Sequence, residues 1–547
     1  MSAASRAVDT ATSEVLGPAG ARAGGASLRR GQLGWSAFDL ASIAVPTVVA
    51  AIVSLVAISA RSIWLDEAAT ISIAHQSGGA LLRAMAHDGG NMLGYYALIH
   101  VLIEWFGDGL IVVRLPAALA MIASVAMLSS LARQLFDRLV GLLSGLVAAL
   151  SLPLVFWAQD ARSYALVVAC VVASYLAFWH ILAAPRDEPR RAWWAALTAS
   201  TIVGIYMSYV VVLVAPAQLL FVAGNWRRLR GLLAVYFVSG LCASPLVVLA
   251  IHRGTGQLAW LERPGWRALV AVVEAVTSGG FVPNFHLGVL GAVITLSSVV
   301  VLGLIAAENL IARRSGRQDG APFALLWSWT LVPVLAAFVE SRLGPALFIA
   351  RNVLMVLPAV AILLCAGLLR TRLPRWLGWG ALLALTGLRT AQLVPTYGVS
   401  PENWRVATAY VASRARPGDC IAFYPSDGRM AFDYYLLHDQ GATAATELRP
   451  VLPSAPWGLV RPYVEQYVTL SNAQLARDAK SCSRLWFVAS HEGQANGTAS
   501  SRAHHTRYLE LRRRLSASFG PGHLVAFGWA APVKVELFAR ANLAVVP

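Results

Sequence analysis

The chain is 547 residues long, 57% hydrophobic and only 13% charged, with a mean hydropathy of +0.61. That composition excludes a soluble globular protein and describes a polytopic membrane protein. The net charge of +16 does not point to nucleic acid, because nearly all of it is arginine in short clusters between apolar runs, the pattern of cytoplasmic membrane anchors.

Residues 1–36, rich in Ala, Gly, Ser and Arg without periodicity, read as a disordered cytoplasmic tail, too long and polar to open a cleaved signal peptide. An apolar run from Phe38 to Ala60 follows, long enough to span a bilayer. It leads into Ser62-Ile-Trp-Leu-Asp-Glu-Ala68, two adjacent carboxylates at a membrane surface, ahead of an amphipathic stretch from Ala68 to Ala86. Further apolar runs fall at Leu115–Ala132, Leu139–Trp157, Ala165–Ala183, Trp193–Tyr206, Val210–Ala223 and Leu232–Ile251. Four more fall at Leu287–Ala307, Pro322–Val339, Val353–Leu369 and Trp376–Pro395. Together they make about 11 spans.

From Ser400 onward the composition turns ordinary and polar. Strand-like runs at Cys420–Tyr424, Leu485–Ala489, Val525–Gly528 and Val533–Ala539 alternate with helical patterns such as Trp404–Arg414 and Tyr508–Ser518. This alternation predicts a small α/β layer domain. No Gly-rich phosphate loop opens any of its helices, so nucleotide binding has no support. Of the five cysteines, Cys170, Cys242 and Cys365 lie in apolar runs. Cys420 and Cys482 share the tail and could pair if it lies outside, but two free core thiols is the reading adopted.

With the tail bearing Arg6, Arg22, Arg29 and Arg30 in the cytoplasm, every second loop should be basic. The loops carrying Arg133 and Arg138; Arg186, Arg190 and Arg191; Arg227, Arg228 and Arg230; Arg313, Arg314 and Arg317; and Arg370, Arg372 and Arg375 all obey. The complementary connections then face outward: residues 61–114, Gln159–Ser163, His252–His286, Glu340–Asn352 and everything after about Pro395. The expected location is the plasma (inner) membrane, multi-pass, with the N-terminus cytoplasmic and the C-terminal domain extracytoplasmic.

Charge inside the spans is almost absent, His180 and Arg389 being exceptions, which argues against a proton-coupled transporter. The ionisable residues gather at the outer surface instead: Asp66, Glu67, His87, Asp88, Arg114, Asp160, Arg162 and Arg351. Acids and arginines clustered above a bundle suit an anionic, lipid-borne substrate. Asp66 and Glu67 point about 100° apart on a helix, so only one can aim at a reacting atom. Plain structural readings stand beside these. The acid pair could merely cap a helix, Asp88 could be a solvated loop acid, Asp160 and Arg162 could pair with loop charges, and Arg351 could snorkel to headgroups.

The segments Trp64-Leu-Asp-Glu-Ala68, His87-Asp88 with Tyr95-Tyr96-Ala-Leu-Ile-His100, Phe106-Gly107 leading to Arg114-Leu-Pro116, Ala158-Gln-Asp-Ala-Arg-Ser-Tyr164 and Ala350-Arg-Asn-Val-Leu-Met-Val-Leu-Pro358 carry a resemblance. In order, sidedness and spacing they resemble the GT-C superfamily of membrane glycosyltransferases, in particular the branch of protein O-mannosyltransferases and aminoarabinose transferases. The resemblance implies a polytopic α-helical GT-C domain over 37–395, with its catalytic first outer loop at 61–114, and an extracytoplasmic α/β domain over 396–547. It also implies an inverting transfer of a sugar from a polyprenyl phosphate, the lipid-linked donor serving as co-substrate, to a cell-envelope glycan or lipoglycan acceptor on the outer face.

Asp66 would be the base. Glu67, His87, Asp88, Arg114, Asp160, Arg162, Tyr164 and Arg351 would bind substrate, with Arg351 and Arg162 neutralising the leaving phosphate. Two departures from the family pattern, Gly89-Gly90 where Pro-Pro is frequent and Asp160 where Glu is common, leave any metal site open. With Lys480 and Lys534 as the only lysines, the arginine and alanine bias points to a GC-rich bacterium, plausibly an actinobacterium. Mannose is then the first choice of sugar and arabinose the second. A lipid or solute transporter and a non-catalytic envelope assembly protein are the alternatives from other classes.

Overall fold

The structure is a computed structural model that describes residues 36–183, 190–254, 261–278, 289–314, 320–370, 374–439, 448–452, 481–529 and 531–540. The expected disordered tail over 1–36 lies outside these residues except for Ser36. The expected outer loop from His252 to His286 lies outside them in part.

Ser36 opens α1 (Ala37–Leu55): its hydroxyl accepts from the Asp39 amide at 3.1 Å and the Asp39 carboxylate accepts the Ser36 N–H at 3.2 Å, a reciprocal cap. The segment expected as one amphipathic helix over Ala68–Ala86 is two, α2 (Leu65–Ala74) and α3 (Gly78–His87). Gly78 interrupts it at a φ of +50°. Gly89 and Gly90 follow at φ +73° and +74°, a backbone region open to glycine, so the chain turns back sharply into α4 (Leu93–Phe106).

The bundle continues with α5 (Leu110–Leu135), α6 (Arg138–Ala149), α7 (Leu152–Ala158), α8 (Tyr164–Ala183) and α9 (Arg191–Met207). A 3₁₀ segment, Tyr209–Val214, leads into α10 (Ala215–Phe221). Then come α11 (Trp226–Arg253), α12 (Trp266–Ser278), α13 (Val289–Arg314) and α14 (Ala321–Leu343). A second 3₁₀ segment, Ala350–Val356, precedes α15 (Leu357–Arg370) and α16 (Arg375–Thr396).

Six helices among the described residues are long and apolar enough to cross a membrane, or seven when α6 and α7, bent by 62°, count as one span. The sequence led to an expectation of about 11. The difference lies in the 17-residue α9, the broken Tyr209–Phe221 segment, α13 and α16. Large apolar side chains face away from the protein along α1 (Leu40, Val48, Ile52) and α11 (Phe237, Leu241, Ile251), as lipid contact requires. Helices approach closely where side chains vanish: a Cβ on Gly145 of α6 would sit 2.6 Å from Pro46 of α1 and 2.1 Å from the Ser129 hydroxyl of α5.

Arginines gather at one end of the bundle, where Arg133 and Arg138 both reach Asp39 and Arg370 pairs with Asp137. The residue 56–109 segment and the C-terminal domain occupy the other end. That domain contains α17 (Trp404–Ala412), β1 (Asp419–Tyr424), α18 (Gly428–Asp439), β2 (Leu448–Leu452), β3 (Arg484–Ala489), α19 (Ala499–Phe519), β4 (His523–Phe527) and β5 (Val533–Ala539). The sheet order is β2-β1-β3-β5-β4, with β1 parallel to both its neighbours and β4 and β5 antiparallel.

The pleat sorts the faces. Cys420, Ala422 and Tyr424 pack with Tyr508, Leu511 and Leu515 of α19, while Ile421 and Phe423 join the cluster holding Trp404, Met430 and Phe432. The strand β2 and helix α18 are absent from the sequence expectation. Hydrogen bonds join this domain to the first segment: Ser62 N to Ser400 Oγ (2.8 Å), Ile63 N to Tyr435 Oη (2.7 Å), and Arg405 to the Ala60 and Ser59 carbonyls (both 3.1 Å). Asp108, between α4 and α5, bonds His75 Nε2 with one oxygen and His438 Nε2 of α18 with the other, each at 2.8 Å. Tyr434 Oη adds a bond to the Asp108 carbonyl at 3.1 Å.

Cys420 and Cys482 form a disulfide, which corrects the expectation of two free thiols. Pairing of β1 with β3, in register from Cys420 opposite Leu485, draws the Cα atoms to 6.0 Å, within bridging range. Replacing both cysteines with serine opens a crosslink across 62 residues and is expected to cost about 2–4 kcal/mol. Differential scanning calorimetry should show a lowered transition for the double variant and for the reduced wild type alike.

Candidate active site

α2 separates its two neighbouring acids. Glu67 turns inward, where its oxygens accept from Arg114 Nε (2.8 Å) and Nη2 (2.7 Å). Both side chains are at most 2% exposed. Glu67 Oε1 also accepts the Ala161 N–H at 2.8 Å, and Arg114 Nη1 donates to the Ile58 (2.8 Å) and Arg61 (3.1 Å) carbonyls. Glu67 and Arg114, both expected to bind substrate, form a buried pair with each other. The physical reason is the helical turn that aims consecutive residues apart, together with a guanidinium supplied from α5 directly behind.

Asp66 turns the other way, its side chain one-third exposed. Arg351, on the 3₁₀ segment before α15, donates from Nη1 to Asp66 Oδ2 at 3.2 Å, and Arg162 Nη2 lies 3.9 Å from the same oxygen. Arg162 Nη1 also reaches the Asp66 carbonyl and the Thr70 hydroxyl, at 3.4 and 3.3 Å. Burial alone would raise the Asp66 pKa, but the Arg162 and Arg351 guanidiniums, and more distantly His491, hold it below the ordinary value. The Arg351 guanidinium lies between aromatic rings, 5.8 Å from Trp64 and 5.9 Å from Tyr164. A carboxylate, two guanidiniums and their aromatic walls thus converge from three distant stretches of sequence.

Asp160 lies behind this group, 2% exposed, and accepts Trp64 Nε1–H at 2.9 Å. Burial and then the Glu67 carboxylate raise its pKa well above the ordinary value. Asp88 accepts the Tyr96 hydroxyl at 2.8 Å and helps, after Asp66, Tyr96 and Tyr164, to keep Arg162 charged against the cost of burial. His87, half-buried, has its pKa lowered by burial and by Arg253, and belongs to the α3–α11 contact rather than to the Asp66 group. Among the described residues no cluster of three or more His, Cys, Asp or Glu is arranged to hold a metal.

Several site residues carry no sequence signal. Arg61 anchors the turn before α2 to the Phe156 and Gln159 carbonyls at 2.9 and 3.1 Å; burial, and then Arg114, lower its pKa to about 10. Glu402, 1% exposed, accepts the Leu65 N–H at 3.1 Å and Trp404 Nε1–H at 2.7 Å. The C-terminal domain thereby caps the helix that carries Asp66, across 337 residues. A lone glutamate just before Asn403-Trp404 was the only trace of it in the sequence.

Removing one partner of a buried ion pair leaves the other charge uncompensated and costs about 3–5 kcal/mol. Arg114→Ala should therefore melt well below the wild type. Asp66→Asn, which removes a partly exposed pair, is expected to shift stability by less than about 1 kcal/mol. Thermal melting of the two purified variants in detergent checks the contrast.

The family model described as dolichyl-phosphate-mannose-protein mannosyltransferase matches residues 92–251, from the end of the α3–α4 turn through most of α11. No curated protein sequence matches the chain. ArnT from Cupriavidus metallidurans bound to undecaprenyl phosphate is similar in structure, with a TM-score of 0.53 at 15% identity over 92% of this chain and 99% of that one. The apo form of the same ArnT gives 0.53 at 17% identity, over 90% and 97%. Archaeal oligosaccharyltransferase AglB from Archaeoglobus fulgidus, in complex with an inhibitory peptide and a dolichol-phosphate, gives 0.49 at 12% identity, over 93% of this chain and 74% of that one. Over nearly its whole length the chain thus shares the fold of ArnT, and residues 92–251 match the family model described as dolichyl-phosphate-mannose-protein mannosyltransferase.

Proposed function

We propose that the protein transfers a sugar, mannose as first choice, from a polyprenyl-phosphate donor to a hydroxyl of a cell-envelope glycan or lipoglycan, with inversion at the anomeric carbon. The observation that carries this reading is the partly open Asp66 carboxylate held between Arg162 and Arg351. The acceptor oxygen attacks the anomeric carbon as its proton passes to an Asp66 oxygen. The bond between that carbon and the phosphate oxygen breaks, and the electron pair leaves with the phosphate. The phosphodiester gains a second negative charge in that step, and Arg351 and Arg162 stand where they can neutralise it. Their field, which outweighs burial, keeps Asp66 ionised at neutral pH, the state a base requires.

Support for the donor class comes from the fold shared with ArnT, which was crystallised with undecaprenyl phosphate, and from a family description that names dolichyl-phosphate mannose. The arginine-rich bundle end opposite the site favours a cytoplasmic orientation for that end, and a disulfide in the C-terminal domain fits an extracytoplasmic compartment. Nucleotide sugars are confined to the cytoplasm, so an outward-facing site needs its sugar delivered on a lipid.

General-base catalysis is typically worth about 10²- to 10⁴-fold. Asp66→Asn should remain folded and donor-binding while losing transfer from polyprenyl-phosphate mannose by a factor in that range, measured by product formation with purified protein. Wild-type rates in this variant would remove the mechanism. Arg351→Ala should raise the donor KM and lower turnover even at saturating acceptor. An unchanged donor dependence would reduce Arg351 to a membrane-surface contact.

A further inference from the structure

The C-terminal sheet brings a histidine to Glu402, the residue that caps the helix of Asp66. In the order β2-β1-β3, the chain leaves β1 towards β2 on one side and returns to β3 on the other. The carboxyl ends of β1 and β3 are therefore a topological switch point, the place where open α/β sheets receive ligands. Ser490 closes this edge by donating its N–H to the Tyr424 carbonyl at 3.0 Å, and His491 follows directly.

His491 sits at φ +53°, a left-handed conformation unfavourable for a non-glycine residue. Such strain is kept where surrounding contacts fix it and concentrates at functional sites. The fixing contact is a 2.6 Å bond from His491 Nε2 to Glu402 Oε1. The other oxygen of Glu402 accepts the first N–H of α2, the helix of Asp66. The imidazole side chain is 38% exposed, so one carboxylate holds both the helix of Asp66 and this ring.

We propose that His491, delivered by the C-terminal sheet and clamped by Glu402 at the start of the helix that carries Asp66, binds the phosphate of the polyprenyl carrier as the third cation of the donor site, with Arg162 and Arg351. This rests on the donor reading above and assigns the C-terminal domain a direct part in it. Glu402, Asp66 of α2 and Asp427 after β1 act on His491; its sequence neighbour Glu492 is paired with Lys534. Burial lowers the His491 pKa, but Glu402 first and then Asp66 and Asp427 raise it overall to about 9, so the ring is charged at neutral pH.

The test is binding of undecaprenyl phosphate to the full-length protein in nanodiscs between pH 7.5 and 10, where a phosphate monoester stays dianionic. Wild-type affinity should fall as pH rises through about 9, because the ring loses its proton there. His491→Gln, which can still donate to Glu402, should bind about 10-fold more weakly or worse at pH 7.5, with that pH dependence gone. The double variant His491→Gln/Glu402→Gln keeps a neutral hydrogen-bonded pair and guards against misfolding of the single variant. It too should bind weakly with a flat profile while its melting temperature stays near that of the wild type. Failure of the wild type to bind undecaprenyl phosphate at all would sink the donor reading itself. Binding by wild type, with equal affinity and the same pH profile in folded variants, would overturn the role of His491 alone.

Discussion

The Glu67–Arg114 ion pair is the constraint on which the candidate site depends. Two charges almost wholly removed from water are tolerable only when geometry and additional hydrogen bonds compensate their desolvation, and here both ions are met by several partners. Through those partners the pair sets positions elsewhere. Ala161, bonded to Glu67, carries the turn that presents Asp160 and Arg162. Ile58 and Arg61, bonded to Arg114, fix the approach to α2. Asp66 owes its outward direction to being the residue before the buried acid.

Asp66 is the counterion of Arg162 and Arg351. A phosphate arriving among the guanidiniums shares them with Asp66, and each share it takes relieves the field that depresses the carboxylate's basicity. In the proposed mechanism, donor binding and the readiness of Asp66 to accept a proton are thereby coupled.

Periodic and compositional features were legible in the sequence. The apolar runs, the arginine clusters and four of five strands could be read because each depends on a local pattern of three to twenty residues. The divergence of Asp66 and Glu67 followed from helical geometry alone. Depth was not legible: nothing in the spelling of Arg114 distinguishes a sealed guanidinium from one facing a ligand, since the difference lies in what packs over it. Glu402 and His491 were illegible for a related reason, as the bond from α2 to Glu402 across 337 residues and the bond from His491 to Glu402 leave no mark on either stretch. Helix α18 was hidden by its aromatic and polar mixture, and the disulfide by strand pairing that brings Cys420 beside β3.

Asp108 has a further consequence for how the two halves of the molecule are held together. Its carboxylate is shared by His75 at the end of α2 and His438 of α18. The hydrogen bond that His438 donates to Asp108 raises the His438 pKa above its ordinary 6.5 against the opposing effect of burial. Burial raises that of Asp108, but His438 and His75 carry it well below 3.8. The histidine's contribution is complete below about 6.5 and fades as pH climbs through its raised value. The carboxylate's contribution is complete above about 3.8 and fades as pH drops through its lowered one. The clasp between the membrane bundle and its C-terminal cap is therefore tightest in mildly acidic surroundings and slackens in alkaline ones, making the seam between the two a proton-responsive joint.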